Sequence, residues 1–442
     1  MTNYKQLLLA LLLPFASGIA CAQSSASNSP YSRFGLGTLN EQSQGFNQGM
    51  GGVALGMRSS RFINMQNPAS YSAIDSLSFL FDVGMSLQQG SFKSGNSKIS
   101  ANNTSLNYVS AAFRIRKGLG MSLGFLPYTT IGYNFSNTET TGTAYPSGNV
   151  ITSESSYYGD GGLHQAYIGL GWEPFKNFSV GANLSFLWGN YNHTISQQFS
   201  EGGMVSSTYN GLNVHYKAAL STYKLDLGAQ YSFALNEANE LTIGVAGSIG
   251  HKMNNAATLY HFTNNGDSIV KRAPNAFELP HAFGAGVTWK YKRKWMVGVD
   301  VSQELWSQCQ LPTTVRKTST NEIDYNALEG AYLDRTKMAA GFEYVPNDLS
   351  GNYFNRIRYR FGASYASPYT KVDGADGPST YSLTAGVGLP ISKDASKRTV
   401  VNISVQWQRV DPSVATMITE DYLKLNIGIT FNERWFMKWK IN

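Results

Sequence analysis

Cysteine is almost missing from this chain of 442 residues, which has Cys21 and Cys309 only. Cys21 lies in an N-terminal stretch with the layout of a cleavable secretion signal, so the exported chain would keep Cys309 alone. A single cysteine cannot form an intramolecular disulfide, and zinc sites built on paired cysteines are excluded as well.

The secretion signal is predicted from three parts. Lys5 supplies a positive charge, residues 7–15 form an apolar core, and a small-residue cleavage site ends at Ala22. We therefore expect residues 1–22 to be a signal peptide. A lipoprotein signal that uses Cys21 is the alternative.

Long apolar runs, metal-ligand clusters and nucleic-acid-binding stripes are missing too. Beyond the signal, no apolar run approaches the ~20 residues of a transmembrane helix. The histidines are scattered without metal-ligand spacing, and we expect no metal and no cofactor. Much of the excess positive charge lies at predicted short turns, where cations can meet lipid phosphates. Membrane lipid is therefore the expected partner, and nucleic acid is not.

What the chain does have is strict alternation. Leu77, Phe79 and Phe81 fall on one side of an extended segment, and Ser78 and Asp82 fall on the other. The pattern recurs to the C-terminus in segments of about 10 residues, the length of a tilted strand that spans the ~25 Å apolar band of an outer membrane.

Fourteen such segments can be read. The apolar face of each carries mainly Phe, Leu, Val and Ile, and the other face carries mainly Gly, Ser, Asn, Lys and Arg. They occupy residues 77–87, 109–115, 119–125, 166–172, 178–186, 225–233, 241–249, 283–289, 295–301, 338–344, 357–365, 381–389, 401–407 and 423–431.

The connections between these segments alternate in length. Short turns are predicted at 117–118, 176–177, 236–240, 292–294 and 392–397. Long polar loops are predicted at 89–102, 132–162, 191–221, 252–279 and 307–335. Short turns on one rim and long loops on the other are typical of bacterial outer-membrane barrels, with the short side in the periplasm. The sequence therefore predicts an all-β fold, a 14-stranded antiparallel transmembrane β-barrel in the cell outer membrane.

The tryptophans favour the same fold. All eight fall at or beyond segment ends, where a membrane interface suits an indole ring with one apolar edge and one N–H group. A soluble sandwich or propeller shows similar alternation and is the alternative.

Two stretches outside the 77–431 barrel do not fit the strand pattern. Residues 23–76 are rich in glycine and do not alternate, which permits irregular backbone that packs closely against other groups. Such backbone cannot face lipid, so we expect it to form a hatch in the lumen. Residues 432–442 form a C-terminal extension.

The chain resembles the FadL/TodX family of outer-membrane channels for hydrophobic compounds. The glycine-rich stretch around Gly35 and Gly37 and the motif of Asn67, Pro68 and Ala69 are similar to that family's N-terminal hatch. The C-terminal extension departs from the family and looks like the tails of its Bacteroidota-type branch. The resemblance implies passive uptake of hydrophobic small molecules such as long-chain fatty acids.

In FadL-like channels the third strand is kinked, which opens a lateral gap in the wall. Pro127 and Gly132 stand where that kink would fall. Proline cannot donate to a sheet ladder, so Pro127 marks either the kink or simply the end of the strand.

Three arginines form the other candidate site. Arg356, Arg358 and Arg360 alternate with apolar residues and would all point into the lumen. They are predicted either to bind a substrate carboxylate or to pair with acids of the hatch or wall such as Asp82, Asp226 and Asp300.

An enzyme is not expected. A G-x-S-x-G pattern occurs around Ser122, but it lies inside an alternating strand, whereas the hydrolase motif needs a strand-to-helix turn. The main rival to uptake is a barrel that transports nothing and is a fixed subunit of an outer-membrane secretion or assembly complex. Such a barrel would have complex partners in place of a hydrophobic ligand.

Overall fold

A computed structural model describes residues 27–434 except 77, 145–146, 207–208, 210, 264–265, 267, 317–321 and 392–398. The predicted signal, residues 1–22, and the last part of the C-terminal extension lie outside the described residues. Within the described ranges, no helix combines the length and apolar character needed to span a membrane.

Fourteen long strands form the wall, and we number them β1 to β14. The third is broken at Tyr128 into a lower segment, Leu119–Pro127, and an upper segment, Thr129–Thr143. In chain order the strands are β1 Ser78–Ser94, β2 Ser97–Arg116, β3 (the two segments above), β4 Val150–Phe175, β5 Phe178–Glu201, β6 Leu212–Ala234, β7 Asn239–Ile249, β8 Ala282–Tyr291, β9 Trp295–Glu304, β10 Arg335–Tyr344, β11 Arg358–Ala366, β12 Ser379–Pro390, β13 Val400–Asp411 and β14 Thr419–Arg434.

The wall closes on itself. Each strand pairs with its sequence neighbours in antiparallel register, and β1 pairs with β14 from Ser78↔Arg434 to Lys93↔Thr419. The prediction of fourteen antiparallel strands is therefore confirmed. Strand β14 runs three residues past Phe431, the predicted end of the barrel.

Side chains of the wall strands alternate between an apolar outer face and a polar inner face. On β5, Leu184 and Phe186 are 54% and 56% exposed on the outer surface, whereas Asn183 and Ser185 are 2% and 1% exposed inside. An apolar outside around a polar inside is the reverse of a soluble sandwich and is typical of a barrel whose outer face meets hydrocarbon.

Three of the predicted long loops are wrong. Residues 89–102, 132–162 and 191–221 lie mostly in strands, because β1 to β6 continue well above the apolar band. The alternation that marks a membrane strand depends on a lipid-facing side. Above the membrane both faces carry polar residues, so the period of two disappears from the sequence although the ladder continues.

The two remaining long loops fold into short strands. His251–Met253 pairs with Phe277–Leu279, Ala257–Thr263 pairs with Ser268–Ala273 and with β6, and Leu311–Arg316 pairs with Ile323–Leu328. Further short pieces are Met204–Val205, the 3₁₀ turn Trp306–Gln308, and the pair Lys371–Val372 and Ala375–Asp376.

Residues 27–76, which we call the N-terminal segment, contain only short elements. These are the 3₁₀ helix Pro30–Arg33, the strand Thr38–Leu39, the α-helix Gly45–Gln48 and the 3₁₀ helix Pro68–Ala73. The rest is irregular backbone, and much of it is fully buried against wall strands. The only connection on the short side with a helix is the one after β10, which ends in the 3₁₀ helix Phe354–Arg356, within the described residues.

Candidate functional site

Glycines of the wall let the N-terminal segment touch the strands directly. A methyl group at Gly244 would lie 1.8 Å from the Leu55 carbonyl oxygen, and one at Gly362 would lie 2.1 Å from the Met50 carbonyl carbon. A methyl group at Gly181 would lie 2.4 Å from the Pro68 carbonyl carbon. No side chain fits in this space, so these glycines are a steric requirement for the contact.

Asn67 of the predicted motif joins the segment to the wall. Its Oδ1 accepts from the Ala69 N–H at 3.3 Å and caps the helix Pro68–Ala73. Its Nδ2 donates to the carbonyl oxygen of Leu55 at 2.8 Å, and also to those of Ala229 on β6 and Val245 on β7, both at 3.3 Å. One buried amide thus holds a helix start, a loop and two strands.

Backbone groups of the segment are also satisfied by wall side chains. The Asp300 carboxylate accepts from the N–H groups of Ala54 and Leu55 at 2.6 and 2.8 Å. Gln230 Nε2 donates to the carbonyl oxygens of Leu55 and Met57 at 2.9 and 3.1 Å. Irregular buried backbone is costly unless it is paired, and these contacts pair it.

Arg58 anchors the segment near the short-turn rim. Its guanidinium donates to Glu173 Oε2 at 2.7 Å, Ser72 Oγ at 2.8 Å and Ser179 Oγ at 2.5 Å. Burial lowers the pKa of Arg58, and the nearby Glu173 carboxylate opposes that shift. Arg58 therefore joins the segment to β4 through Glu173 and to β5 through Ser179.

Replacing Arg58 with methionine should loosen this anchor. Charged hydrogen bonds of this kind contribute ~2 kcal/mol, so cleavage of the N-terminal segment by thermolysin should become roughly 30-fold faster. Arg409→Met is the control, because its pair with Asp411 is about half exposed and contributes little. Equal cleavage rates for the two variants would contradict the anchoring role.

The three predicted arginines are not equivalent. Arg358 and Arg360 on β11 both donate to Glu343 of β10 at 2.7 Å, and Arg360 also donates to Asn402 Oδ1 at 2.5 Å. Arg356 instead ends the helix Phe354–Arg356, outside the strand. The structure therefore brings two of the three together around a wall acid that the sequence did not single out.

Pro127 and Gly132 lie on either side of the break in β3. Pro127 keeps its register with His164 of β4, and its carbonyl oxygen accepts from Gln42 Nε2 at 3.2 Å. On the other side, the β2–β3 ladder runs only as far as Val109↔Phe125. Between described residues, no register pair joins the rest of β2 to the upper segment of β3. We call this interruption the wall opening.

The start of the N-terminal segment lies in the wall opening. Asn28 Nδ2 donates to Asn103 Oδ1 of β2 at 3.0 Å, and Ser32 Oγ accepts from the Gly132 N–H of β3 at 3.1 Å. Thr38–Leu39 then pairs with Thr129 and Thr130 as a short added strand. The segment thus bridges the two edges with polar contacts.

Behind the wall opening is a cavity of about 170 Å³ whose lining is both polar and apolar. Ser29 donates to Glu420 Oε1 at 2.7 Å at its edge, and Lys424 and Arg335 also line it. Burial alone would raise the pKa of Glu41, but Lys424, Lys337 and a hydrogen bond from Gln406 outweigh burial and lower it. Charged groups therefore share the lining of this cavity with apolar side chains such as Leu39 and Val410.

Above the N-terminal segment, apolar side chains fill the interior. Trp306 is 0% exposed, and its ring centroid lies 5.2 Å from those of Tyr332 and Tyr369. Leu36 joins this cluster from the N-terminal segment, and Phe277 joins it from a long connection. Wall residues such as Leu163 and Leu187 complete the cluster.

Two site classes weighed from the sequence can be checked in the described ranges, a metal site and the motif around Ser122. No group of three or more His, Cys, Asp or Glu side chains there could hold a metal ion. Ser122 lies within β3, and its Oγ contacts the Ala111 carbonyl oxygen and the Tyr167 hydroxyl.

A family model described as BamG matches residues 4–442. Among solved structures, the Ralstonia pickettii toluene transporter TbuX has a TM-score of 0.58 at 16% identity, over 89% of this chain and 99% of that one. The Pseudomonas putida toluene transporter TodX has a TM-score of 0.55 at 15% identity, over 90% of this chain and 100% of that one. A Pseudomonas aeruginosa FadL homologue has a TM-score of 0.58 at 12% identity, over 89% of this chain and 99% of that one. These identities show a shared fold. None of the curated proteins compared with the chain matches it.

Proposed function

Because the chain belongs to the BamG family and folds as a fourteen-stranded barrel, we propose that it is an outer-membrane protein whose N-terminal segment is a hatch. We further propose that it is a structural subunit of an outer-membrane secretion or assembly complex. The filled interior carries this proposal. A predicted secretion signal supports export, and the C-terminal extension supports a Bacteroidota-type branch.

A hydrophobic molecule meets two barriers in this interior. The lower one is the backbone contact between the N-terminal segment and wall glycines such as Gly244 and Gly362. The upper one is the buried cluster around Trp306 and Tyr332. Passage is driven by the burial of apolar surface at ~25 cal/mol per Å². The cavity at the wall opening is only partly apolar, and a hydrophobic molecule there would also cover the charged side chains of Glu420 and Lys424.

The height of the wall favours docking as well. Strands β4 and β5 contain 26 and 24 residues. At ~3.3 Å per residue each is roughly 80 Å long, whereas about 10 residues span the apolar band. More than half of each strand therefore stands outside the membrane as a rigid polar surface, which a subunit of a complex can present to partners.

Uptake of a hydrophobic small molecule, such as a long-chain fatty acid, is the second candidate. The wall opening favours it, because the missing β2–β3 pairs leave a lateral route once residues 27–33 move out. The fold shared with TbuX, titled a toluene transporter, is consistent with this route. In this mechanism Pro127 and Gly132 would mark the kink, and Arg358 or Arg360 would bind a carboxylate only after leaving Glu343.

A reversible disulfide across the wall opening distinguishes the structural role from uptake. Asn28→Cys and Asn103→Cys, in a Cys309→Ser background, place thiols at two positions whose longer asparagine side chains now join Nδ2 to Oδ1 at 3.0 Å. A shift of the N-terminal segment toward β2 brings the two sulfur atoms into bonding distance. Oxidation should tie the N-terminal segment to β2, and dithiothreitol should release it. A structural subunit should work equally well in both states, with the same set of stoichiometric partners after purification in mild detergent.

The readouts are uptake of a labelled fatty acid and the composition of the purified material. The single Asn103→Cys variant, treated in the same way, controls for oxidation. Uptake that stops on oxidation and returns on reduction would overturn the structural role and support transport. A purified barrel that carries an apolar ligand and no partner chain would do the same.

A further inference from the structure

The wall opening leaves a long strand edge without a partner. On the upper segment of β3, residues 131–143 pair with β4 on one side only. The other side faces β2 across the wall opening, and the N-terminal segment covers it only up to Gly132. Above that point, none of the described residues pairs with this edge.

The register identifies which backbone groups are free. The Gly132 N–H donates to Ser32 Oγ, and the Gly132 carbonyl oxygen accepts a hydrogen bond from the Ser32 hydroxyl. Neither group is therefore hydrogen-bonded to β4. Backbone groups of an antiparallel strand alternate between its two sides. The N–H and C=O groups of Asn134, Ser136 and Thr138 therefore point into the wall opening.

This edge carries few of the usual protections. Natural edges are guarded by proline, charge, bulges or a covering loop, because free N–H and C=O groups pair with other chains. Residues 133–138 contain no proline and no charge, and the first charged residue is Glu139. A register shift appears only between Thr140 and Gly142. The stretch before it is a regular, unblocked strand.

The chain itself shows that this edge accepts a strand. Thr38–Leu39 pairs with Thr129 and Thr130, and the Asn40 N–H donates to the Tyr128 carbonyl oxygen at 3.0 Å. The free edge continues directly above this contact. On its inner face, Tyr133 is fully buried in the interior cluster, and the partly buried Phe135 lies against it with ring centroids 5.7 Å apart. An added strand would place alternate side chains beside Phe135.

We propose that residues 133–140 of β3 are a docking edge for an extended segment of a different polypeptide, which adds to the wall as one more strand. Its backbone would pair with Asn134, Ser136 and Thr138, and its alternate apolar side chains would pack near the partly buried Phe135. This inference rests on the proposed structural role, and it names how a partner of that complex is held.

The first test uses substitutions that distinguish backbone from side-chain recognition. Ser136→Pro removes an N–H that points into the wall opening and leaves the β3–β4 ladder intact, because proline is tolerated on the free side of an edge strand. Ser136→Ala keeps the N–H and removes only the hydroxyl. A photo-crosslinking benzoylphenylalanine at Asn134 reports contact in cells, and the same residue at exposed Val414 is the positional control.

A discrete adduct with another polypeptide should form from position 134 and not from 414. It should fall at least tenfold with Ser136→Pro and persist with Ser136→Ala. An adduct of twice the chain's own mass would identify a second copy and overturn the proposal. Equal adduct in the proline and alanine variants would also overturn it.

Amide hydrogen exchange gives the second test. In the complex purified in mild detergent, the amides of Asn134, Ser136 and Thr138 should exchange at least tenfold more slowly than in the isolated barrel. Partners that co-purify without protecting these amides would overturn the docking edge and leave the structural role standing. A barrel without partners would overturn the structural role, and the docking edge with it.

Discussion

Replacing Gly244 and Gly362 together with valine should dislodge the N-terminal segment from the wall. Added side chains would overlap the backbone of Leu55 and Met50. The Leu55 backbone cannot shift freely, because its N–H is bonded to Asp300 and its carbonyl oxygen to Asn67 and Gln230. Overpacking costs about 1–3 kcal/mol per site, so thermolysin cleavage of the segment should rise by roughly 30-fold or more.

The chain supplies a matched control for this experiment. Gly142 also lies in a wall strand, but a methyl group there would meet nothing within 4 Å. Gly142→Val should leave both cleavage and the heat-modifiable mobility of the folded barrel unchanged. A double variant that folds and resists thermolysin as well as Gly142→Val does would show that the segment does not depend on these contacts.

Trp306→Ala should produce the largest loss of stability of any single change discussed. The side chain is completely buried between Tyr332 and Tyr369, and its Nε1 donates to Glu304 at 2.6 Å. Truncating a buried tryptophan costs ~3–5 kcal/mol. The midpoint of urea unfolding in lipid vesicles should fall accordingly, without loss of the fourteen-stranded wall at low urea.

Trp295→Ala is the comparison, because this ring is 40% exposed near the short-turn rim. It should lower stability much less than Trp306→Ala. If both substitutions cost the same, the upper cluster is loosely packed, and the second barrier to passage through the interior disappears.

The fourteen wall strands could be predicted from the sequence because a strand that faces lipid must alternate apolar and polar residues. Each membrane strand has one side in hydrocarbon, so runs such as Leu423, Leu425 and Ile427 alternate visibly with polar neighbours. The fourteen segments followed from that constraint. Where β4 and β5 rise into water, both faces are polar and the strand loses its signature.

The candidate site was predicted only in part, and distance along the chain is the reason. Asn67 could be singled out because its motif is local and caps the helix that follows it. Asp300 accepts a hydrogen bond from the backbone of Ala54, 246 positions earlier. Glu343 pairs with Arg358 and Arg360, which lie on a different strand. Nothing in one sequence marks such pairs, since each partner is an ordinary polar residue of the inner face.

The seam between β1 and β14 constrains the order in which the molecule is made. Ser78 and Arg434 lie at opposite ends of the wall's sequence, yet the two are register partners. The groups that hold residues 54–67 are spread over β6, β7 and β9, so the cradle is incomplete until most of the wall exists. The N-terminal segment therefore meets its full set of partners only late in the assembly of the sheet. Pairing of β1 with β14 then encloses the segment.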